Sequence, residues 1–295
     1  MRVLLTGANG FIGNFIAKVF SENTWEVLGI GIETINKNQY VSEYIKWDIG
    51  HEPIPEELIK GKIDCIVHAA SLIDGRDDNE ELIFSNCLGT FRVYELAKSV
   101  GVKTVILLSS IPILGLHCSE TIDENTHYNP ETMYHATKAS QEFILNQLCK
   151  LGIRVCSLRL PSPIGPNQPE KTIVPIFVRR VLNGENIVLS GKGTRRQNYV
   201  DVRDIANCIF FLTTNAKSNG TYTIGSDNTL SNYELAEICI KLANSSSQIT
   251  FNGKDDKCDN DNWKIDCSKL KKEGFTLRFN IEQTLLDMIE FDERL

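Results

Sequence analysis

A chain of 295 residues with 42% hydrophobic content can fill a sizeable core, as one large domain or as a large domain with a smaller companion. Its formal net charge of −7, with acidic and basic residues interspersed, excludes sequence-independent binding to nucleic acid or to an anionic membrane surface. A phosphate-bearing ligand would therefore have to be held by local groups. Nine cysteines, an odd number without a C-x-x-C pair, give no zinc site or redox couple, so reduced structural thiols and no bound metal are expected.

The N-terminus runs straight into Val3-Leu4-Leu5 and Gly7 without the apolar stretch and cleavage site of a signal peptide. No apolar run approaches the roughly 18 residues needed to span a membrane. A cytoplasmic protein is expected.

From residue 1 to about 160, short β-like runs alternate with helical patterns, the signature of a parallel sheet covered by helices on both faces. Strands are expected at Val3–Thr6, Glu26–Ile30, Tyr44–Trp47, Cys65–His68, Thr104–Leu108 and Arg154–Leu158, and helical patterning at Phe11–Phe20, Glu80–Ser99 and Met133–Lys150. After Leu160 the Pro/Gly-rich stretch 161–166 changes the texture to shorter, less regular elements. The spacing predicts a domain over 1–160 and a smaller mixed α/β lobe over 161–295. Its boundary is ragged, because the helix candidates Val174–Leu182 and Arg203–Thr214 could return to the first domain.

The first strand empties into Thr6-Gly7-Ala8-Asn9-Gly10-Phe11-Ile12-Gly13, followed by a helix. Glycines at such a turn let the backbone approach a pyrophosphate, and the helix N-terminus supplies free N–H groups and a positive dipole end. The G-x-x-G-x-x-G spacing resembles the extended branch of the short-chain dehydrogenase/reductase superfamily, the NAD-dependent epimerase/dehydratase family. That resemblance implies a Rossmann-type doubly wound domain holding NAD or NADP through Gly7, Asn9, Gly10, Phe11, Ile12 and Gly13. The family's acidic residue at the end of the second strand aligns with Gly31, so the usual NAD determinant is missing. No arginine stands beside it, which leaves NAD and NADP both open. Asp48, with Ile49, matches the acidic residue that contacts adenine, and His68-Ala69-Ala70 matches the strand end lying against the pyrophosphate. His68 is read as structural, a histidine closing a buried strand. Asn86 matches an asparagine that braces the sheet near the active site.

The strand through Val105–Leu108 ends in Ser109-Ser110, and Tyr134-His135-Ala136-Thr137-Lys138 opens a helix. Tyrosine and lysine four apart share one helix face, so the ammonium can lie near the phenol. A free tyrosine near pKa 10 is a poor base at neutral pH, and a neighbouring cation favours the phenolate. By the resemblance, Tyr134 is the acid/base group, Lys138 also bridges the nicotinamide ribose, and Ser110 holds the substrate oxygen. Ser110 is preferred to Ser109 because it stands five before Gly115, as in the family pattern. Ile111 and Pro112 occupy the positions where sugar-nucleotide 4,6-dehydratases carry an Asp-Glu pair, so water elimination lacks its proton-transfer groups.

In the second half, Ser162 replaces an asparagine that commonly touches the substrate phosphate, and Gln197 sits where a diphosphate-binding arginine is expected. Arg195 and Arg196 immediately precede it and are the candidates to fork onto a diphosphate. With the landmarks Tyr222–Gly225 and Asp266–Leu270 the resemblance covers essentially the whole chain. It implies a nucleotide-sugar 4-epimerase or 4-ketoreductase and is compatible with a homodimer. The alternatives are a reductase of a non-nucleotide carbonyl compound and a catalytically silent NAD(P) sensor on the same fold.

Overall fold

Runs such as Val3-Leu4-Leu5 and Val105-Ile106-Leu107-Leu108 are apolar at every position, the mark of strands covered on both faces. In the computed structural model of the protein each is a buried strand. The structure describes residues 1–74, 76, 78–115, 121–227 and 229–292.

In chain order, the first elements are β1 (Arg2–Thr6), α1 (Phe11–Glu22), β2 (Glu26–Gly31), β3 (Glu43–Lys46), α2 (Glu56–Lys60) and β4 (Cys65–His68). A π turn, Ile83–Leu88, runs into α3 (Gly89–Val100), then β5 (Thr104–Ser110), α4 (Met133–Asn146) and β6 (Arg154–Leu160). There follow β7 (Ser162–Ile164), α5 (Ile173–Leu182), β8 (Ile187–Leu189), β9 (Arg196–Asp201), α6 (Val202–Thr214) and β10 (Gly220–Thr223). The chain closes with β11 (Thr229–Ser231), α7 (Asn232–Leu242), β12 (Ile249–Phe251), α8 (Ser268–Glu273) and α9 (Ile281–Asp292).

Two compact units emerge: Met1–Gly115, Glu124–Leu160 and Ala206–Thr223 in one, Leu116–Asp123, Pro161–Ile205 and Ile224–Leu295 in the other. The first holds a seven-stranded sheet, all parallel, in the order β10-β6-β5-β4-β1-β2-β3. It is the α/β doubly wound sheet expected from the sequence. β1 lies between β2 and β4, and the chain runs outward through β2 to β3 before crossing back to β4, so a crevice opens at the carboxyl ends of β1 and its neighbours. Leu4, Ile66, Val93, Leu96, Val105 and Leu145 share a core on one side of the sheet. Phe20, Trp25 and Phe210 meet edge to face in another cluster of this unit.

The expected helix over 80–99 is regular only from Gly89. The preceding π turn carries Asn86 into the interior, and a Cβ on Gly89 would stand 2.7 Å from Ile49 Cγ1, so the chain approaches the loop after β3 too closely for a side chain. The third strand ends one residue earlier than expected, because Trp47 leaves it to bury its ring and donate Nε1–H to Glu52 O at 3.1 Å.

Two arginines hold elements of this sheet together, Arg154 half-buried and Arg159 fully buried. Arg154, on β6, donates to Leu212 O, Thr213 O and Ser218 O at 2.7–2.8 Å, tying the α6–β10 connection to the strand that β10 joins. Arg159 meets Glu142 of α4 through two bonds, Nε to Oε1 at 3.0 Å and Nη2 to Oε2 at 2.9 Å, and the Tyr128 hydroxyl donates to the same carboxylate at 2.6 Å. The two charged side chains are 2% and 0% exposed, which makes each dependent on the other.

The second unit, taken by itself, has the strands β11-β9-β7 and the pair β12-β8 around a core of Val178, Tyr199, Leu235, Leu285 and Met288. Asp204 accepts from the backbone N–H groups of Arg278 and Phe279 at 3.0–3.1 Å, and Arg203 is held between Asp201 and Asp287.

Breaking one side of the Arg159–Glu142 pair leaves an uncompensated buried charge. Glu142→Leu is therefore expected to lower the unfolding free energy by about 3–5 kcal/mol, and the double variant Glu142→Leu/Arg159→Met by clearly less. Urea unfolding of the three proteins measures this; a single-variant loss below about 1 kcal/mol would show the pair to be solvent-screened.

Candidate active site

The loop after β1 is shaped by the space its glycines leave. Gly7 has φ +72°, and a Cβ there would stand 2.9 Å from Ala70 N; a Cβ on Gly13 would stand 2.1 Å from Gly7 O. Only glycine lets β1, β4 and the first turn of α1 close to this distance. Gly10 caps α1 without a side-chain bond, so the helix presents unsatisfied N–H groups and the positive end of its dipole. A cavity of about 250 Å³ lies over this turn, lined among others by Gly7, Asn9, Gly10, Asp48, Ile49 and Ala70. Bare backbone, a helix N-terminus and a carboxylate beyond it fit a dinucleotide: the first two suit its pyrophosphate, the last its hydroxyl and amino groups.

Six of the residues expected to bind cofactor thus line one cavity. Phe11, Ile12, Gly13, His68, Ala69, Tyr134 and Lys138, also expected to touch the cofactor, are not among its lining residues. Gly13 lies under Gly7, Phe11 turns its ring edge-on to Phe15 at 5.9 Å, and His68 is fully buried behind the loop. Sequence reasoning missed Glu33, Ser71 and Ser85, which also line the cavity. Glu33 had one visible signal, an acidic residue two places beyond the strand end.

Behind the loop runs a chain of buried polar groups. Thr6 Oγ1 accepts from Ala69 N and Ala70 N, both at 3.1 Å, and so directs its own proton to His68 Nδ1 at 2.8 Å. His68 Nε2 must then carry the ring proton, which it donates to Thr90 Oγ1 at 2.9 Å; Thr90 in turn donates to Asn86 O. Gln141 Nε2 donates to Thr90 Oγ1 at 2.8 Å, and its Oε1 accepts from Lys138 Nζ at 2.5 Å. Burial, aided by the Lys138 charge, pushes His68 down to about 3, so it stays neutral and structural.

Helix α4 carries the catalytic candidates. Thr132 caps it by accepting from His135 N at 3.2 Å, which starts the helix at Met133 and sets Tyr134 and Lys138 on one face. Tyr134 hydrogen-bonds Ser71, whose hydroxyl donates to Asn86 Oδ1 at 3.1 Å. Lys138 is buried and donates to Leu108 O at 2.5 Å as well as to Gln141. Ser110 closes β5 half-buried, whereas the Ser109 hydroxyl is buried without a hydrogen bond, which favours Ser110 as the residue a ligand could reach.

The electrostatics depart from the simple phenolate picture. Burial pushes Tyr134 up to about 12, against the Ser71 bond, and pushes Lys138 down to about 7 despite Glu142. Desolvation is the largest effect on both groups, and the ammonium bonds to Leu108 and Gln141. In the protein's own field the phenol holds its proton.

In the second unit, Ser162 donates to Gln197 Oε1 at 3.0 Å across the β7–β9 ladder. Arg196 is engaged: it donates to Thr229 O at 2.7 Å and pairs with Glu234 at 3.0 Å. Arg195 has only a looser contact, Nε to Asp261 Oδ2 at 3.8 Å, and 28% of its side chain is exposed.

The profile of the NAD dependent epimerase/dehydratase family matches residues 3–225. A dTDP-glucose 4,6-dehydratase of Streptomyces niveus is 24% identical over 311 aligned positions, covering 99% of this chain and 92% of that one. The crystal structure of UDP-glucose 4-epimerase from Thermotoga maritima, with UDP-glucose, is similar over 100% of this chain and 99% of its own, with a TM-score of 0.90 at 22% identity. That of the Thermus thermophilus UDP-glucose 4-epimerase, in complex with NAD, covers 99% of each chain with a TM-score of 0.86 at 21% identity. These likenesses at low identity speak for the fold.

The neutral His68 has a measurable consequence. Its folded value near 3 lies below an unfolded value of 6.5, so between these the unfolded chain binds the extra proton. The stability contributed by His68 is present above pH 6.5 and falls, by at most about 1.4 kcal/mol per pH unit, as pH drops toward 3. His68→Gln removes this titration. Urea unfolding is expected to show its deficit against wild type shrinking between pH 7 and pH 4.5; a constant deficit would mean that His68 titrates alike in the folded and unfolded chain, and a growing one that it is protonated in the fold.

Proposed function

The chain belongs to the NAD-dependent epimerase/dehydratase family, and from that premise we propose that it binds NAD in the crevice over Gly7 and Gly10 and acts on a nucleotide-activated sugar. The reaction is hydride transfer at a sugar carbon, as a 4-epimerase or 4-ketoreductase, with Tyr134 as the acid/base group. The observation that carries this reading is the face of α4 on which Tyr134 and Lys138 stand, beside the end of β5 with its accessible Ser110.

When bound, NAD supplies the hydride acceptor and, once reduced, the donor. Everything else falls to the chain. Tyr134, which holds its proton in the resting protein, donates it to a carbonyl oxygen and takes it back from a hydroxyl. Taking it back requires the Lys138 ammonium nearby, since a cation favours the phenolate. Ser110 orients the reacting oxygen. Ile111, fully buried, and Pro112 have no proton to exchange, so the sugar keeps its water and the product is not a 4-keto-6-deoxy sugar. A cytoplasmic location belongs to this reading.

For the diphosphate, the geometry favours Arg195 over Arg196, because the Arg196 guanidinium is bound to Thr229 and Glu234. A homodimer also belongs to this reading. Phe91 on α3 and Phe143 on α4, 47% and 54% exposed, with Phe84 and Leu88 in the π turn, give the first unit an apolar surface that a second copy could cover.

Incubation with UDP-glucose and NAD, followed by separation of the sugar products, tests the activity. Interconversion of the 4-epimers without net consumption of NAD identifies an epimerase, and NADH-dependent reduction of a 4-keto sugar identifies a ketoreductase. Tyr134→Phe is expected to keep cofactor binding and lower turnover about 10²-fold or more. Turnover within a few-fold of wild type would remove Tyr134 from the mechanism.

A second measurement addresses the nucleotide sugar. Arg195→Ala is expected to weaken UDP-glucose binding by about 1.5–3 kcal/mol, the usual contribution of a charge-assisted bond, while Arg196→Ala mainly lowers stability. Calorimetric titration of both variants with UDP-glucose and with NAD separates the two sites; an unchanged UDP-glucose affinity in Arg195→Ala would place the diphosphate elsewhere.

A further inference from the structure

Strand β2 ends at Gly31, where an acidic side chain is missing, yet the cavity is not without a carboxylate at that end. Glu33, two residues further on, turns back over the glycine. Its Oε2 lies 3.3 Å from Asn9 Nδ2 and 3.4 Å from the Tyr44 hydroxyl, which also donates to Glu33 O at 3.0 Å. A Cβ built on Gly31 would stand 2.9 Å from that same Oε2 and 2.6 Å from the Tyr44 oxygen. The carboxylate and the phenol therefore fill the space that a side chain at position 31 would need. Asn9 belongs to the glycine loop, and its Oδ1 accepts from Lys37 N at 3.0 Å, so the segment after β2 is fastened to the phosphate turn through one side chain.

The charge around this point is one-sided. Gly31, Ile32 and Glu33 line the cavity together with Asp48, and among the described residues no lysine or arginine lines it. Tyr44 is pushed up to about 12 by burial and by Glu33, so it stays a neutral donor toward the carboxylate. An ionised carboxylate only accepts hydrogen bonds and suits a ligand that brings hydroxyl donors. A ligand bringing a phosphate dianion would meet repulsion from the carboxylates that line the cavity.

We propose that Glu33, reaching back over Gly31, is the residue that selects the cofactor: it accepts from the adenosine ribose hydroxyls of NAD and excludes the 2′-phosphate of NADP. This rests on the dinucleotide reading of the crevice. The acidic determinant has moved two residues along the chain, and Gly31 is what gives it room.

The test is a binding measurement, read by quenching of Trp47, which lines the cavity, or by calorimetry, with NAD and NADP. Wild type is expected to bind NAD at least about 10²-fold more tightly than NADP, and Glu33→Gln, which keeps size but not charge, to bring the two within about 10-fold, mainly by losing NAD affinity. Gly31→Asp placed on Glu33→Ala/Tyr44→Phe, which clears both the carboxylate and the phenol oxygen, returns a carboxylate to the strand end and is expected to restore the preference. A wild type that binds both dinucleotides equally well, or a Glu33→Gln variant that keeps the full preference, overturns the assignment of Glu33 and leaves the dinucleotide reading in place. A wild type that binds neither overturns both.

Discussion

The hydroxyl of Thr6 is the point from which the arrangement of the first unit follows. It receives the N–H groups of Ala69 and Ala70, which lets β1 and β4 end side by side with Gly7 tucked against Ala70, and it passes its own proton to His68. In an apolar interior each of these groups would be costly if left unpaired. The direction of every later bond is thereby fixed: His68 can only donate onward, Thr90 must pass its proton to Asn86, and Gln141 must turn its nitrogen to Thr90 and its oxygen to Lys138. The orientation of a lysine on α4 is thus set by a hydroxyl on β1. Because neither His68 nor Gln141 carries charge, this ordering needs no buried counter-ion.

The charged groups of α4 divide between two tasks. Glu142 is matched by Arg159 and holds the helix on β6, whereas Lys138, one turn earlier, has only neutral acceptors. That difference explains why burial moves Lys138 down to about 7. A lysine so placed responds readily to whatever charge arrives beside it, and Tyr134, equally desolvated, responds with it.

Much of this organisation was legible in the chain. All six strands expected in the first part are present within a residue or two at their ends, since runs apolar on both faces have few alternatives. The glycine spacing pointed to the close approach at Gly7, and the Tyr134–Lys138 spacing to a shared helix face. What stayed hidden depends on pairs far apart in sequence. Nothing local marks Thr90 as the partner of Gln141, or Ser71 as the partner of Tyr134. Gly31 read as a lost determinant because the pattern was matched position by position, whereas a carboxylate at position 33 reaches the same space from a loop. The expected lowering of the Tyr134 pKa considered the neighbouring cation and left out desolvation, which here is the larger effect. For the arginines, position in sequence could not show that Arg196 would be engaged with Thr229 and Glu234.

The strand order has a consequence for how the protein comes into being. β10 pairs with β6, yet β7, β8 and β9 are made between them, so a nascent chain that has completed β6 must wait for Gly220–Thr223 before that side of the sheet is covered. Throughout that interval β6 presents an unpaired backbone edge flanked by Val155, Cys156 and Leu158, the kind of edge that invites pairing with a second chain. Arg154, which can meet Thr104 of β5 at once, must wait for the end of α6 and the loop to β10 before its three carbonyl partners are all in place. Its guanidinium works as a gatekeeper charge on the growing edge before it becomes the fastener that closes it.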